Sequence, residues 1–338
     1  MALPTSPLAA FKRGGASLRT GLTHLYNHAH DESAAAAAVA FRARCRSGEF
    51  ASQTSGQAPG FVQANFVALP QEYAFDFLRF CLRNPRACPL LDVTDAGDPT
   101  PRTVAPSADL RTDIPKYCVW RRGKVAESPS DVSSLWADDM VGFLLGCSFS
   151  WEDELAKAGL PPRHVEEGRN VPMYLTDVPN AAVGPFGGRL VVSMRPYRPD
   201  QIARVVEITA RYPGAHGGPV HWGNHGELGI ADLSAPDFGD AVTIKPGEVP
   251  VFWACGVTPQ TAVEGAKLPL VITHAPGHMF IADIQDEELK VESMAPSMEL
   301  PSFRSALTSL RAAATAVIAA NRLAGARWSP PSASTALF

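Results

Sequence analysis

Short apolar runs punctuated by Gly and Pro dominate the pattern of hydrophobic and polar positions, predicting short strands interleaved with a few helices. Residues 61–69, 90–93, 116–120, 170–176, 190–195, 249–253 and 270–272 each read as strands. Ser33 suits the N-cap of an Ala-rich helix through Arg46, closed by Gly48. Pro70 suits the first turn of a helix through Arg83, which Asn84-Pro85 stops. Tyr73, Phe77, Leu78 and Cys81 share one face of it, as core packing requires. Asp131-Val-Ser-Ser134 predicts a further helix, leading toward the apolar run that ends at Gly146. Another helix is expected with Ser150 as N-cap and Asp153 at its third position, ended by Gly159 ahead of Pro161-Pro162. Pro199-Asp200 opens a last one through Arg211, and its pairing with the strand before it is a typical α/β unit. Within that strand, alternation sets Ser193 and Arg195 on the face opposite Val192 and Met194.

Composition sharpens this into a loop-rich α/β protein. The chain has 338 residues, enough for one large or two ordinary domains, and 30 prolines with 27 glycines account for many turns. It is 46% hydrophobic and 19% charged, with a net charge of -4. That balance argues against nucleic acid or an anionic membrane as partner, and no apolar run is long enough to span a bilayer. The six cysteines form no CxxC pair, so free thiols in a reducing, cytoplasmic setting are expected. Residues 1–32 carry Lys12, Arg13 and Arg19 with no acidic residue before Asp31. They read as a disordered leader or a transit peptide, the latter placing the protein in the mitochondrial matrix. Residues 293–338 read as an Ala-rich helical tail with a disordered end, and a homo-oligomer is left open.

Candidate chemistry gathers in two places. Five of the nine histidines, His216, His221, His225, His274 and His278, lie between Gly- and Pro-rich turns with Glu248 and Cys255 nearby. Such loops commonly carry small-molecule sites, though ordinary turns share the composition. Cys147, Ser148 and Ser150 sit at the mouth of the helix expected after Gly146, where backbone N–H groups favour an anion such as a substrate carboxylate. Arg195, at a strand end, suits a bidentate carboxylate clamp or a surface ion pair. Zinc is the obvious ligand for His216-x4-His221-x3-His225 and His274-x3-His278. The intervening Gly and Pro break the helical presentation such spacings need, so no metal is expected. No Gly-x-Ser-x-Gly, Walker or dinucleotide fingerprint occurs, which disfavours serine-hydrolase chemistry and nucleotide cofactors.

Several strings occur together in order: Val62-Gln-Ala-Asn65, Cys88-Pro-Leu-Leu91, Gly146-Cys-Ser-Phe-Ser150, Asn170-Val-Pro-Met-Tyr174, Val192-Ser-Met-Arg-Pro196, Pro219-Val-His221, residues 247–260 and Thr273-His-Ala-Pro-Gly-His-Met279. Through them the chain, over about residues 56–283, resembles the hydro-lyase family of bacterial YcsI-like proteins. A related domain forms part of eukaryotic D-glutamate cyclase. The resemblance implies a two-lobed α/β fold with mixed sheets across residues 33–292. It also implies loss of water from a small carboxylic or amino acid, including D-glutamate cyclisation to 5-oxo-D-proline. Because the chain has no phosphate-cradling loop, the reaction is expected to be cofactor-independent. That reaction needs a carboxylate clamp, a base and an acid. Arg195 with Cys147, Ser148 and Ser150 is the expected clamp, Glu248 or His221 the base, and His274 or His278 the acid. Burial is expected to raise Glu248. The rival expectation is a non-catalytic binder of small carboxylates.

Overall fold

A ten-residue strand, β1 (Phe61–Pro70), is buried along almost its whole length because both its faces are covered. Even-numbered Val62, Ala64, Phe66 and Ala68 face one core, while Val67 and Leu69 face another that Phe77, Phe80 and Cys81 complete. Those three project from helix α2 (Gln71–Arg83), which follows an earlier helix α1 (Ala36–Arg46). The computed structural model describes residues 35–291. The expected leader, the Ser33 cap and the helical tail therefore lie outside the described residues.

One edge of β1 pairs with β5 (Met140–Gly146) from Ala64↔Gly146 to Pro70↔Met140. Its other edge is shared: β11 (Phe280–Gln285) pairs with the first half and β10 (Val271–His274) with the second. With β2 (Leu90–Val93), β3 (Tyr117–Arg121) and β4 (Lys124–Glu127) they make a seven-stranded sheet of order β2-β5-β1-β10-β3-β4, β11 lying beside β1. A second sheet has the order β6-β7-β9-β8, from β6 (Met173–Pro179), β7 (Arg189–Tyr197), β8 (His221–Trp222) and β9 (Val249–Ala254). The α/β class is as expected. Every strand pairing among the described residues is antiparallel, however, where sheets of mixed direction had been expected. Helix α5 (Ile202–Ala210) follows β7 without returning the chain to a parallel neighbour, so the expected α/β unit contributes packing only.

Two further expectations change at β5. Residues 131–134 form no α-helix, only a 3-10 turn at Ser133–Leu135, and the apolar run after it is a strand buried on both faces. Periodicity cannot separate such a strand from a buried helix. After Gly146 a 3-10 turn, Ser148–Trp151, leads into the short helix α3 (Glu152–Lys157). Close approach fixes that exit: a Cβ on Gly146 would overlap the Gly214 carbonyl oxygen. Trp151 Nε1 also donates to Ala215 O at 2.8 Å in the same turn. Gly146→Ala is expected to cost about 1–3 kcal/mol through forced backbone movement. Urea titration checks it, and an unchanged midpoint would mean the 213–215 turn yields freely.

The two sheets share one core, in which Val251, Trp253 and Tyr197 of the second pack with the even-numbered β1 residues of the first. Arg195 pairs in register with Val251, and Ser193 with Trp253, so both side chains look into this shared core. Helix α4 (Arg163–Glu166) carries the buried His164, and helix α6 (Thr258–Ala266) adds Ala262 and Val263 to the core that α2 also lines.

Candidate active site

Arg195 is fully buried and lies 4.5 Å from the Trp151 ring centroid and 5.4 Å from that of Trp253. A charge at that depth needs partners. It donates to Glu152 Oε1 from both Nε and Nη2, to Ser148 Oγ at 3.0 Å and to Ser193 Oγ at 3.1 Å. His164 Nε2 stands 3.1 Å from the same Glu152 oxygen, close without hydrogen-bond geometry. Burial alone would raise the Glu152 carboxyl, but pairing with His164 and Arg195 outweighs it and holds the group below the ordinary range.

Glu152 Oε1 is therefore spent inward, and Oε2 has no hydrogen-bond partner among the described residues. Glu152 also lines a cavity of about 220 Å³ together with Gln63, Phe149, Asp153, Asp286 and the loop 56–60. That volume suits a small metabolite, below the ~300 Å³ at which drug-sized pockets begin. Asp286 arrives from the end of β11, its backbone N–H donating to Gly60 O at 2.9 Å. Its carboxyl is pushed up to about 7, chiefly by burial, with Asp153 and Glu287 adding to the rise and Ser150 and Lys157 opposing it. Gln63 donates Nε2 to Thr54 O and Gln57 O, which leaves Oε1 buried and without a partner. Among the described residues no Arg, Lys or His lines the cavity.

The residues singled out in the sequence are only partly brought together. Ser148 and Arg195 meet, as their strand-end and turn positions suggested, but they bind each other. The guanidinium is enclosed and its partners are protein groups, so a carboxylate clamp at Arg195 is not what the geometry offers. Ser150 does not cap a helix: its Oγ accepts from Gln63 N–H at 3.0 Å and lies against Asp286. The expected anion cradle is filled as well, because Glu152, Asp153 and Glu154 already occupy the first turn of α3. Cys147 is buried with its thiol pushed up to about 12 by burial, and Cys255 likewise to about 11. Both stay protonated at neutral pH and act as apolar side chains beside Val257 and Met279.

The histidine-rich region disperses. His221 lies in register with Phe252, which in turn faces Met194, so it occupies the sheet face opposite Arg195. Its Nε2 bonds Asn224 O at 2.9 Å, while His216 Nδ1 bonds Arg86 O and His225 Nδ1 bonds Ile230 O. His274 is enclosed between Phe66 and Gln260, and burial takes it down to about 4, leaving it neutral. Burial lowers His278 too, and its Nδ1 contacts Pro276 O. Glu248 accepts from Arg163 Nη2 at 2.7 Å, and burial, the raising effect, is outweighed by that guanidinium and the Lys245 N–H. The group is thus lowered where a raised base was expected. None of these residues lines the cavity. Among the described residues no three His, Cys, Asp or Glu side chains gather as metal ligands would. His221→Asn is expected to leave turnover within about twofold of the parent and to cost at most ~1 kcal/mol of stability. A large loss of kcat in that variant would reinstate the histidine region as the site.

Four residues were missed: Glu152, His164, Asp286 and Gln63. A faint signal existed in the acidic triplet 152–154 directly after Gly146-Cys-Ser-Phe-Ser150, and in Gln63 within Val62-Gln-Ala-Asn65.

A small cavity lined by the loop 56–60 and α3, with carboxyls in unlike environments, marks a candidate small-molecule site of this α/β protein. Residues 141–283 match the family model described as D-glutamate cyclase. The chain is 61% identical over 250 residues to a Rubrobacter xylanophilus protein named "Putative hydro-lyase", covering 74% of this chain and 96% of that one. It is 54% identical over 251 residues to "Putative hydro-lyase YcsI" of Bacillus subtilis, covering 74% and 97%. A Burkholderia multivorans relative is 57% identical over 251 residues, covering 74% and 96%. The chain belongs to this hydro-lyase family. Among solved structures, a nitrogen repressor-like protein from Methanococcus jannaschii matches at 11% identity and a TM-score of 0.30, over 70% of this chain and 96% of that one. No helix among the described residues is long and apolar enough to cross a membrane.

Proposed function

We propose that the protein removes water from a small amino acid in the cavity lined by Glu152 and Asp286, and that the reaction is cyclisation of D-glutamate to 5-oxo-D-proline. One observation carries this reading: Glu152 and Asp286 line one small cavity while their surroundings drive their proton affinities apart. Such divergence marks which group holds charge and which moves protons. Family membership supports loss of water, and the family model described as D-glutamate cyclase supports the substrate.

Glu152, kept ionised by Arg195, holds the substrate ammonium through Oε2. Asp286, near 7, takes a proton from that ammonium in its carboxylate form. The freed amine attacks the γ-carboxyl carbon, forming the C–N bond, and Asp286 returns the proton to a γ-oxygen. A second nitrogen proton follows the same route, the C–O bond breaks, and water leaves. Two protons leave nitrogen and two reach oxygen, so the reaction is redox-neutral. The substrate α-carboxylate falls to the backbone of the loop 56–60, which lines the cavity where no cationic side chain does. The test is to incubate purified protein with D- and L-glutamate and follow 5-oxoproline by chiral chromatography. Formation from the D-isomer is expected, and no product from either isomer sinks the proposal.

A further inference from the structure

Two residues that line the Glu152 cavity, Gln63 and Asp286, each carry a buried acceptor that the proposed reaction leaves unexplained. Gln63 is 4% exposed and Asp286 8%, yet Gln63 Oε1 and Asp286 Oδ1 have no hydrogen-bond partner among the described residues. Buried acceptors left unpaired cost free energy, and a ligand that donates to them recovers it. The amide orientation of Gln63 is settled by its surroundings: flipped, its oxygen would face the Thr54 and Gln57 carbonyls. Glu152 Oε2 supplies a third acceptor, and it is ionised.

We propose that Gln63 Oε1, Glu152 Oε2 and Asp286 Oδ1 form an ammonium subsite, with Gln63 the residue that selects amino acids over hydroxy acids. An ammonium presents three N–H donors and a positive charge, whereas a hydroxyl presents one donor and no charge. This subsite rests on the cavity proposed above as the reaction centre, but binding alone defines it. It also carries a proton signature. Around Asp286 stand Asp153 of α3, Glu287 of its own turn, Ser150 and the Lys157 ammonium, and Glu152 lines the same cavity. Among these only Lys157 opposes its protonation by charge, and Lys157 pairs with Asp153 at 2.7 Å. A cation entering the cavity stabilises the Asp286 carboxylate, so its proton leaves as the ligand binds.

Calorimetric titration of the full chain at pH 7 tests this, with D-glutamate, D-2-hydroxyglutarate and propylamine as probes. D-Glutamate is expected to bind roughly 10- to 100-fold more tightly than the hydroxy acid, the range of a charge-assisted hydrogen bond or two. Gln63→Met should bring that ratio below about 3, and Gln63→Glu should keep it. Both variants lose the bonds to Thr54 and Gln57, so a difference between them does not come from those bonds. Repeating the titration in buffers of different ionisation heat should show release of about half a proton, absent in Asp286→Asn. Equal affinity for D-glutamate and the hydroxy acid overturns the subsite, as does binding with no proton release. Failure of both D-glutamate and propylamine to bind overturns it as well. Intact selectivity without turnover upholds the subsite and removes only the proposed reaction.

Discussion

Asp286→Asn is expected to lower turnover by roughly 10²- to 10⁴-fold while making the protein more stable at and above neutral pH. Asparagine keeps the shape and the acceptor oxygen of the carboxyl but cannot carry a proton between nitrogen and oxygen. The stability gain follows from the direction of the shift. Asp286 titrates near 7 in the folded protein against an ordinary 3.8, so between those values the native state holds a proton that the unfolded chain has lost. Stability contributed by this group is complete below about pH 4 and drains away as pH rises through 7. If the whole shift is realised the loss reaches roughly 4 kcal/mol, and the variant escapes it. Measuring kcat beside urea midpoints at pH 5 and pH 8 checks both halves. In the parent, kcat should also show a limb near 7 that the variant lacks. A variant both inactive and less stable at pH 8 would point to a structural role for Asp286 instead.

That pairing of effects explains why the residue was hard to see in the sequence. Asp286 lies in an acidic run, Asp286-Glu287-Glu288, that reads as a solvated turn, and the resemblance to known strings stops at Asp283. Its unusual proton affinity arises from the Gly60 loop and α3 folding over it, more than a hundred residues away in sequence. The elements themselves were far more legible. β1, α2, β2, β7 and β9 fall within a residue or two of the positions their apolar runs and Pro or Asn-Pro boundaries mark. Alternation also placed Ser193 and Arg195 on one face correctly. Pairing direction was not legible, because a strand followed by a helix resembles a parallel unit whichever way the next strand runs.

The histidines show the opposite failure, in which a conspicuous local composition carries no common site. Each imidazole of the turn region bonds a backbone carbonyl: Arg86 O, Asn224 O, Ile230 O, Phe66 O or Pro276 O. In turns that glycine and proline leave short of backbone pairing, a ring N–H is a convenient donor. Clustering along the chain then reflects a need shared by turns. Convergence in space depends on sheet register, and one register row separates His221 from Arg195.

Glu152→Gln is expected to destabilise the fold by about 3–5 kcal/mol, because it leaves the buried Arg195 guanidinium without a counter-charge. The cation–π contacts with Trp151 and Trp253 survive the substitution, as do the bonds to Ser148 and Ser193, but none of these neutralises the charge. For a chain of this length the melting midpoint should fall by roughly 10 °C. The parent should also lose stability as pH drops below 4.5, since Glu152 sits below its ordinary value when folded and its contribution disappears once it is protonated. Glu152→Gln should lack that acid limb. Combining it with Arg195→Met removes both charges and sets a flexible apolar side chain between the two indoles, so most of the lost stability should return. Activity should not return, because the cavity still lacks its anionic oxygen. Thermal denaturation of both single variants and the double variant, closed as a cycle, isolates the coupling. A midpoint unchanged in Glu152→Gln would show that Arg195 finds its charge balance elsewhere, and Glu152 would then be free to serve the cavity alone.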